Sequence, residues 1–290
     1  MIKKNFKNNK NNIANKLILG TAQFGKSYGI SNKQNKKVNI KHQKKIFKLC
    51  KKFGIKEIDT AQSYNFDINI LPKNNIWLVN TKIEINKFSN KKKIVNYLKS
   101  LKKQNIILNC LYIHDEENLF TKRGKNVLNI LYKLKKAHLF NKLGVSIYNF
   151  ENLRFIIANF KIDVIQVSFN ILDTQIKKYI KILKKKKIDI HVRSIFLQGL
   201  LLMEPHLISN KFLKIKKYIL KINEQKKIYN TCLINYLLNF VNKHGFITKI
   251  VFGIHSYNHL QEIIRYKRIP KIRFNNFNLF DKKIIDPRTW

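Results

Sequence analysis

Short apolar segments alternate along this chain with longer amphipathic segments rich in lysine. The apolar ones fall at 17–23 (LILGTAQ), 56–61 (KEIDTA), 76–83 (IWLVNTKI), 107–114 (ILNCLYIH), 142–147 (KLGVSI), 163–169 (DVIQVSF), 189–196 (DIHVRSIF) and 247–253 (ITKIVFG). Each has the length of a buried strand. Stretches between them, such as 91–103, 124–138, 151–159, 174–187 and 257–267, repeat apolar residues at helical spacing. Strands alternating with helices predict βαβ units and a parallel sheet. Eight such units closing on themselves predict an α/β fold, a (β/α)8 TIM barrel, as one domain over 16–290. An open doubly wound sheet usually has a glycine-rich phosphate loop after its first strand. The first turn here reads GTAQFGKSYG, without GxGxxG. The long link 197–246 predicts two helices, at 211–229 and 231–243, and residues 1–15 read as a basic, loose tail.

Polar residues stand at the ends of three successive strands. Asp59 and Tyr64 follow the second, Lys82 closes the third and His114 closes the fourth. In a barrel, these ends share one rim, where the chemistry of the fold is built. An acid, a phenol, an amine and an imidazole together can pass a proton to a carbonyl oxygen. A phenol is a weak acid at neutral pH, and a nearby ammonium lowers its pKa. Lys82 is expected to do this for Tyr64, Asp59 to hold Lys82, and His114 to orient the substrate oxygen. No side chain gives a hydride, so carbonyl reduction also calls for a nicotinamide. Taken singly, each residue has a structural reading: Asp59 as a turn cap, Lys82 as one lysine among many, His114 as a helix start, Tyr64 as a surface aromatic.

With these residues in order, the chain resembles the aldo/keto reductases over nearly its whole length, from LILGTAQFG to DPRTW. The first-strand motif is similar to that of a bacterial branch, as are GVSIYN, DVIQVSFNILD and VRSIFLQGLL. The resemblance implies a catalytic tetrad of Asp59, Tyr64, Lys82 and His114. It implies NADPH held extended, with NADH as the alternative. Ser146 and Gln166 would contact the carboxamide, and Thr21 and Ser194 are further cofactor candidates. The segment VFGIHSYNHLQEII matches the part that holds the 2′-phosphate and adenine, with Ser256 as phosphate ligand. Gly253, His259 and Glu262 fall in the same segment, and Gly253 and His259 stand where the family usually has cations. Ile147 replaces an Asn common in the family, and Asn149 nearby reads as a helix cap. Asn65 replaces the Gly after the tyrosine and tolerates a left-handed backbone. The stretch 65–75 is short for a second helix. The branch points to a sugar or surface-polysaccharide precursor as the small carbonyl substrate. Its specificity is expected in loops 24–34, 115–123 and 197–210, with Phe24, Tyr28, Phe120, Phe196 and Met203.

Composition changes this picture little. The chain has 59 Lys and Arg against 16 Asp and Glu, a net charge of +43. The lysines are spread over helix-like stretches and Lys, Asn and Ile rise together, so the charge reads as compositional and no specific nucleic acid is expected. Polyanion binding is one alternative function, and a nucleotide-binding barrel with little turnover is another. No apolar run reaches the roughly 18 residues that cross a bilayer. Cys50, Cys110 and Cys232 form no CxxC and are expected as buried free thiols, consistent with a cytoplasmic protein. The sequence carries no signal for oligomeric state.

Overall fold

In the computed structural model, eight parallel strands pair in chain order and close: β1 (Leu17–Gly20), β2 (Glu57–Asp59), β3 (Trp77–Ile83), β4 (Ile106–Ile113), β5 (Lys142–Ile147), β6 (Val164–Ser168), β7 (Asp189–Arg193) and β8 (Lys249–Phe252). The structure describes residues 13–26, 29–30, 37–88, 90–275, 277, 279, 281 and 285–290. Most of the expected tail, and Tyr28, lie outside these. Ile13–Lys16 forms a short turn with Ile13 and Ala14 buried.

The helices are α1 (Ala22–Gly25), α2 (Ile40–Lys52), α3 (Lys91–Leu101), α4 (Lys122–Lys136), α5 (Phe150–Asn159), α6 (Ile180–Lys185), α7 (Leu213–Ile228), α8 (Leu233–Asn242) and α9 (Tyr257–Ile264). Their lysines face water while the residues at helical spacing face the barrel. In α2 the buried set is Gln43, Ile46, Phe47 and Cys50. Asparagine, over-used in the chain, caps several of them. Asn39 accepts from His42 N at 2.9 Å, and Asn90 from Lys93 N at 3.0 Å. Helices α7 and α8 are the two predicted in the link before β8. Cys232 is exposed rather than buried, because it caps α8 and its Sγ accepts from Asn235 N at 3.4 Å.

The link between β2 and β3 has no α-helix. It runs through two 3-10 turns, Gln62–Tyr64 and Ile68–Ile70. Phe66 anchors it, 6.0 Å from Phe24 and 5.8 Å from Phe47 between ring centroids. The amino-terminal floor of the barrel is polar. Buried Glu57 pairs with Lys249 and accepts from Asn80 (2.8 Å) and Asn109 (3.0 Å). Above this floor lie Tyr112 and His191, hydrogen-bonded at 2.6 Å. Gly144 makes room for them, since a Cβ there would sit 2.4 Å from the Tyr112 ring.

Two strands, β1 and β7, end three residues earlier than the apolar pattern predicts, the largest differences among the eight. β1 stops because Thr21 N donates to Asp59 O at 2.9 Å and the chain turns into α1. β7 stops because Ser194, Leu197, Gln198 and Gly199 all have positive φ, which folds the chain over the rim.

Candidate active site

The carboxyl ends of the strands bring three of the four candidates together. Asp59 and Lys82 form a buried ion pair, and Lys82 Nζ also donates to Thr60 O at 3.3 Å. The other Asp59 oxygen accepts from Gln166 Nε2 at 2.7 Å. Its carboxylate is thus held from β3 and from β6, across the barrel. The Lys82 ammonium lies 5.2 Å from the centre of the Tyr64 ring.

Tyr64 is placed by its turn. Asn65 adopts the left-handed conformation expected of it, with φ 53°. Gly25, the glycine of GTAQFG, packs against this turn, and a Cβ there would lie 1.9 Å from Tyr64 O. The motif therefore supports the phenol from the end of the neighbouring strand.

The phenol differs from the sequence expectation. Burial holds its pKa well above the ordinary value, the charges of Asp59 and Tyr148 push it the same way, and Arg193 opposes them. The Lys82 ammonium is bonded to Asp59 and does not overcome the burial. Tyr64 is therefore a protonated phenol at neutral pH, the form that can donate.

His114 makes its side-chain contact with Tyr148, not with the other three, though the Lys82 charge reaches it. Its N–H continues the sheet by donating to Ile83 O at 2.8 Å, and its Nε2 meets the Tyr148 hydroxyl at 3.1 Å. Burial first, then the charges of Lys82 and Arg193, push its pKa down to about 3, so the imidazole is neutral. Tyr148 lines the cavity at the barrel mouth, and His114 does not. Glu116 fixes Tyr148, its Oε1 accepting from Tyr148 N and Asn149 N at 2.8 Å each. Guanidinium carbons lie over the Tyr148 ring, Arg193 at 4.0 Å and Arg288 at 3.9 Å from its centre.

A cavity of about 300 Å³ opens at the barrel mouth. Asp59, Tyr64, Lys82 and Gln166 form one part of its wall, Tyr148, Arg193 and Arg288 another, and Gly253, His255 and His259 a third. A Cβ at Gly253 would meet Gln23 at 2.6 Å, so the glycine lets that side chain lie along the wall.

The remaining cofactor candidates divide. Ser146 and Gln166 are register partners on β5 and β6 and are fully buried. Ser146 Oγ and Gln166 Oε1 have no hydrogen-bond partner among the described residues. Ser194 lines the cavity. Ser256 caps α9, its Oγ accepting from His259 N at 3.3 Å. Thr21 is buried outside the cavity wall, its hydroxyl donating to Asp59 O at 3.2 Å. Glu262 is exposed on α9. Of the aromatic and apolar residues expected to set specificity, Phe196 lines the cavity. Phe24 is buried in the core, and Phe120 packs against Phe155 with centroids 5.1 Å apart.

Sequence reasoning missed Tyr148, Arg193, Arg288, Gln23 and His255. Each lies inside a motif already singled out, GVSIYN, VRSIFLQGLL, DPRTW, GTAQFG or VFGIHSYN. The motifs were signals without roles until the fold placed them on one cavity.

No helix among the described residues is long and apolar enough to cross a membrane. No curated protein matches the sequence. Solved structures share the fold. An aldo-keto reductase from Bacillus halodurans in its holo form is 14% identical, with 88% of each chain covered and a TM-score of 0.67. The glycerol dehydrogenase from Gluconobacter oxydans is 16% identical, covering 88% of this chain and 87% of its own, with a TM-score of 0.65. The family model described as "Aldo/keto reductase family" matches residues 16–285. With that match over a closed eight-stranded barrel, the chain belongs to the aldo/keto reductase family.

Proposed function

We propose that this protein reduces an aldehyde or ketone with a nicotinamide nucleotide, with Tyr64 as the proton donor. The observation that carries the reading is the Asp59–Lys82 ion pair buried beside a protonated Tyr64 on the wall of one cavity. A bound nicotinamide supplies the hydride, which no side chain can.

The residues fit such a group. Ser146 Oγ and Gln166 Oε1 are buried polar atoms without partners, and buried polar atoms are costly unless bonded. A carboxamide offers an acceptor for the serine hydroxyl and a donor for the glutamine oxygen. Ser194 lines the same cavity, and Ser256, Gly253 and His259 carry the phosphate end in this reading. NADPH is the nucleotide by resemblance. NADH is admitted because segment 253–259 contains no Lys or Arg.

Tyr64 gives its proton to the substrate oxygen as charge develops there. The phenolate left behind is stabilised by the Lys82 ammonium, and Asp59 keeps that ammonium charged and in place. His114, neutral, orients the oxygen directly or through Tyr148. The three unpaired thiols fit a reducing cytoplasm.

A screen of aldehydes and ketones with NADPH and NADH, following nucleotide oxidation, tests the reading. Tyr64→Phe should lose on the order of 10²-fold or more in kcat while nucleotide affinity is kept. Equal turnover in the variant and the natural protein would remove Tyr64 from the chemistry.

A further inference from the structure

Arg193 has no part in the proton relay, yet it faces the same cavity. It donates to Ile147 O at 3.1 Å and to Ser194 Oγ at 3.4 Å. Its Nε is buried without a hydrogen-bond partner, and it forms no ion pair among the described residues. Arg288, the second guanidinium over Tyr148, is held by Asp286 at 2.6 Å. Among the described residues the one carboxylate on the cavity wall is Asp59, and it is occupied by Lys82 and Gln166. Arg193 therefore faces Tyr64 with no carboxylate bonded to it among the described residues, while Asp173 and Asp286 act on it only through their charge, from its other side. A partly buried, incompletely bonded guanidinium is costly unless a ligand completes it, and its planar fork matches a carboxylate or phosphate.

The position of this charge matters. Arg193 ends β7 and lies against Tyr148, which contacts His114. Segment 253–259, assigned above to the nucleotide's phosphate end, follows β8 and forms a different part of the wall. A second cavity of about 220 Å³ shares Arg193 and Tyr148, but Glu151, Asp173 and Asp286 also line it, alongside Lys178. Those carboxylates disfavour an anion on that side, so the anion belongs on the Tyr64 side of Arg193, in the first cavity.

We propose that the carbonyl substrate carries a carboxylate or phosphate, and that Arg193 is the residue that selects it. The inference rests on the reductase reading for the reaction, but its binding half can be tested without turnover.

Two matched pairs serve as probes: benzaldehyde with 4-carboxybenzaldehyde, and glyceraldehyde with glyceraldehyde 3-phosphate. The charged member of at least one pair should show a kcat/KM roughly 10-fold or more above its neutral partner, with the preference shrinking in high salt. The pair that responds tells carboxylate from phosphate. Arg193→Gln should collapse that ratio by roughly 10-fold, and Arg193→Lys should retain part of it. In parallel, calorimetry with protein holding NADP⁺, where no reduction can occur, should show Arg193-dependent binding of the charged aldehyde. If no carbonyl turns over but this binding is seen, the reductase reading fails and the anion site stands. Equal affinity for charged and neutral members of both pairs would overturn the proposal. So would an Arg193→Gln variant whose NADP⁺ affinity falls by the same factor, which would assign the guanidinium to the nucleotide.

Discussion

The Tyr148 hydroxyl meets His114 Nε2 at 3.1 Å, and Tyr148, not His114, forms the cavity wall. The imidazole is neutral, so it has one N–H. If Nε2 carries it, the Tyr148 hydroxyl is free to donate to a substrate oxygen. Tyr148→Phe and His114→Gln should each lower kcat, and the double variant should lose little more than the worse single one. Additive losses would mean that the two residues act on the substrate separately.

Gly25 and Gly245 make a contrasting pair. A Cβ at Gly25 would strike the backbone of Tyr64, whereas one at Gly245 meets nothing within 4 Å. Gly25→Ala should shift the Tyr64 turn and cut kcat by about 10-fold or more, because misplacement of an ångström is costly in catalysis. Gly245→Ala should leave kcat alone and change stability by less than about 1 kcal/mol. Steady-state kinetics and thermal melts separate the two effects.

Gln166 links the two halves of the site, holding Asp59 with one atom and leaving the other open. Gln166→Leu should weaken nucleotide binding by roughly 10-fold and also lower kcat, since Asp59 loses a donor. Ser146→Ala should weaken nucleotide binding with less effect on kcat. Fluorescence titration with NADPH measures the first effect and kinetics the second.

Three histidines tie stability to pH. Burial pushes His114 and His191 down to about 3 and His244 to about 4, with Lys82, Lys142 and Lys177 respectively adding to the shift. The unfolded value is about 6.5, so below it the unfolded chain binds more protons than the folded one. Stability should therefore rise with pH from about 3 to about 6.5 and be lost on acidification through that window. Melting midpoints between pH 5 and 7 test this. His191→Gln should reduce the slope by about one proton.

Much of the barrel was legible because its strands are buried on both faces and read as apolar runs. Asp59, Tyr64, Lys82 and His114 were legible because strand ends share a rim. The rest depends on contacts between distant segments. Arg288 reaches Tyr148 from the far end of the chain, and Tyr148 reaches His114 from the next strand. The early end of β7 is a backbone event, four left-handed residues within 194–199, in a segment whose composition still reads as strand. The predicted helix 174–187 opens as a 3-10 turn, Gln175–Tyr179, before α6 begins.

The missing helix between β2 and β3 bears on where the barrel opens first. The other crossovers each lay an α-helix over their strands. Here Ile76 is 59% exposed, and a groove of about 880 Å³ runs past Ile68, Leu71 and Leu78. Such cover sets the free energy of local opening, so amides of 65–78 should exchange hydrogen sooner than those of β5 to β7. The stave beside this weak seam is β2, three residues long, and it carries Asp59. Its hold comes from polar clamps: Thr21 on its carbonyl, Gln166 and Lys82 on its carboxylate. The ion pair at the centre of the site thus also bolts the thinnest part of the wall.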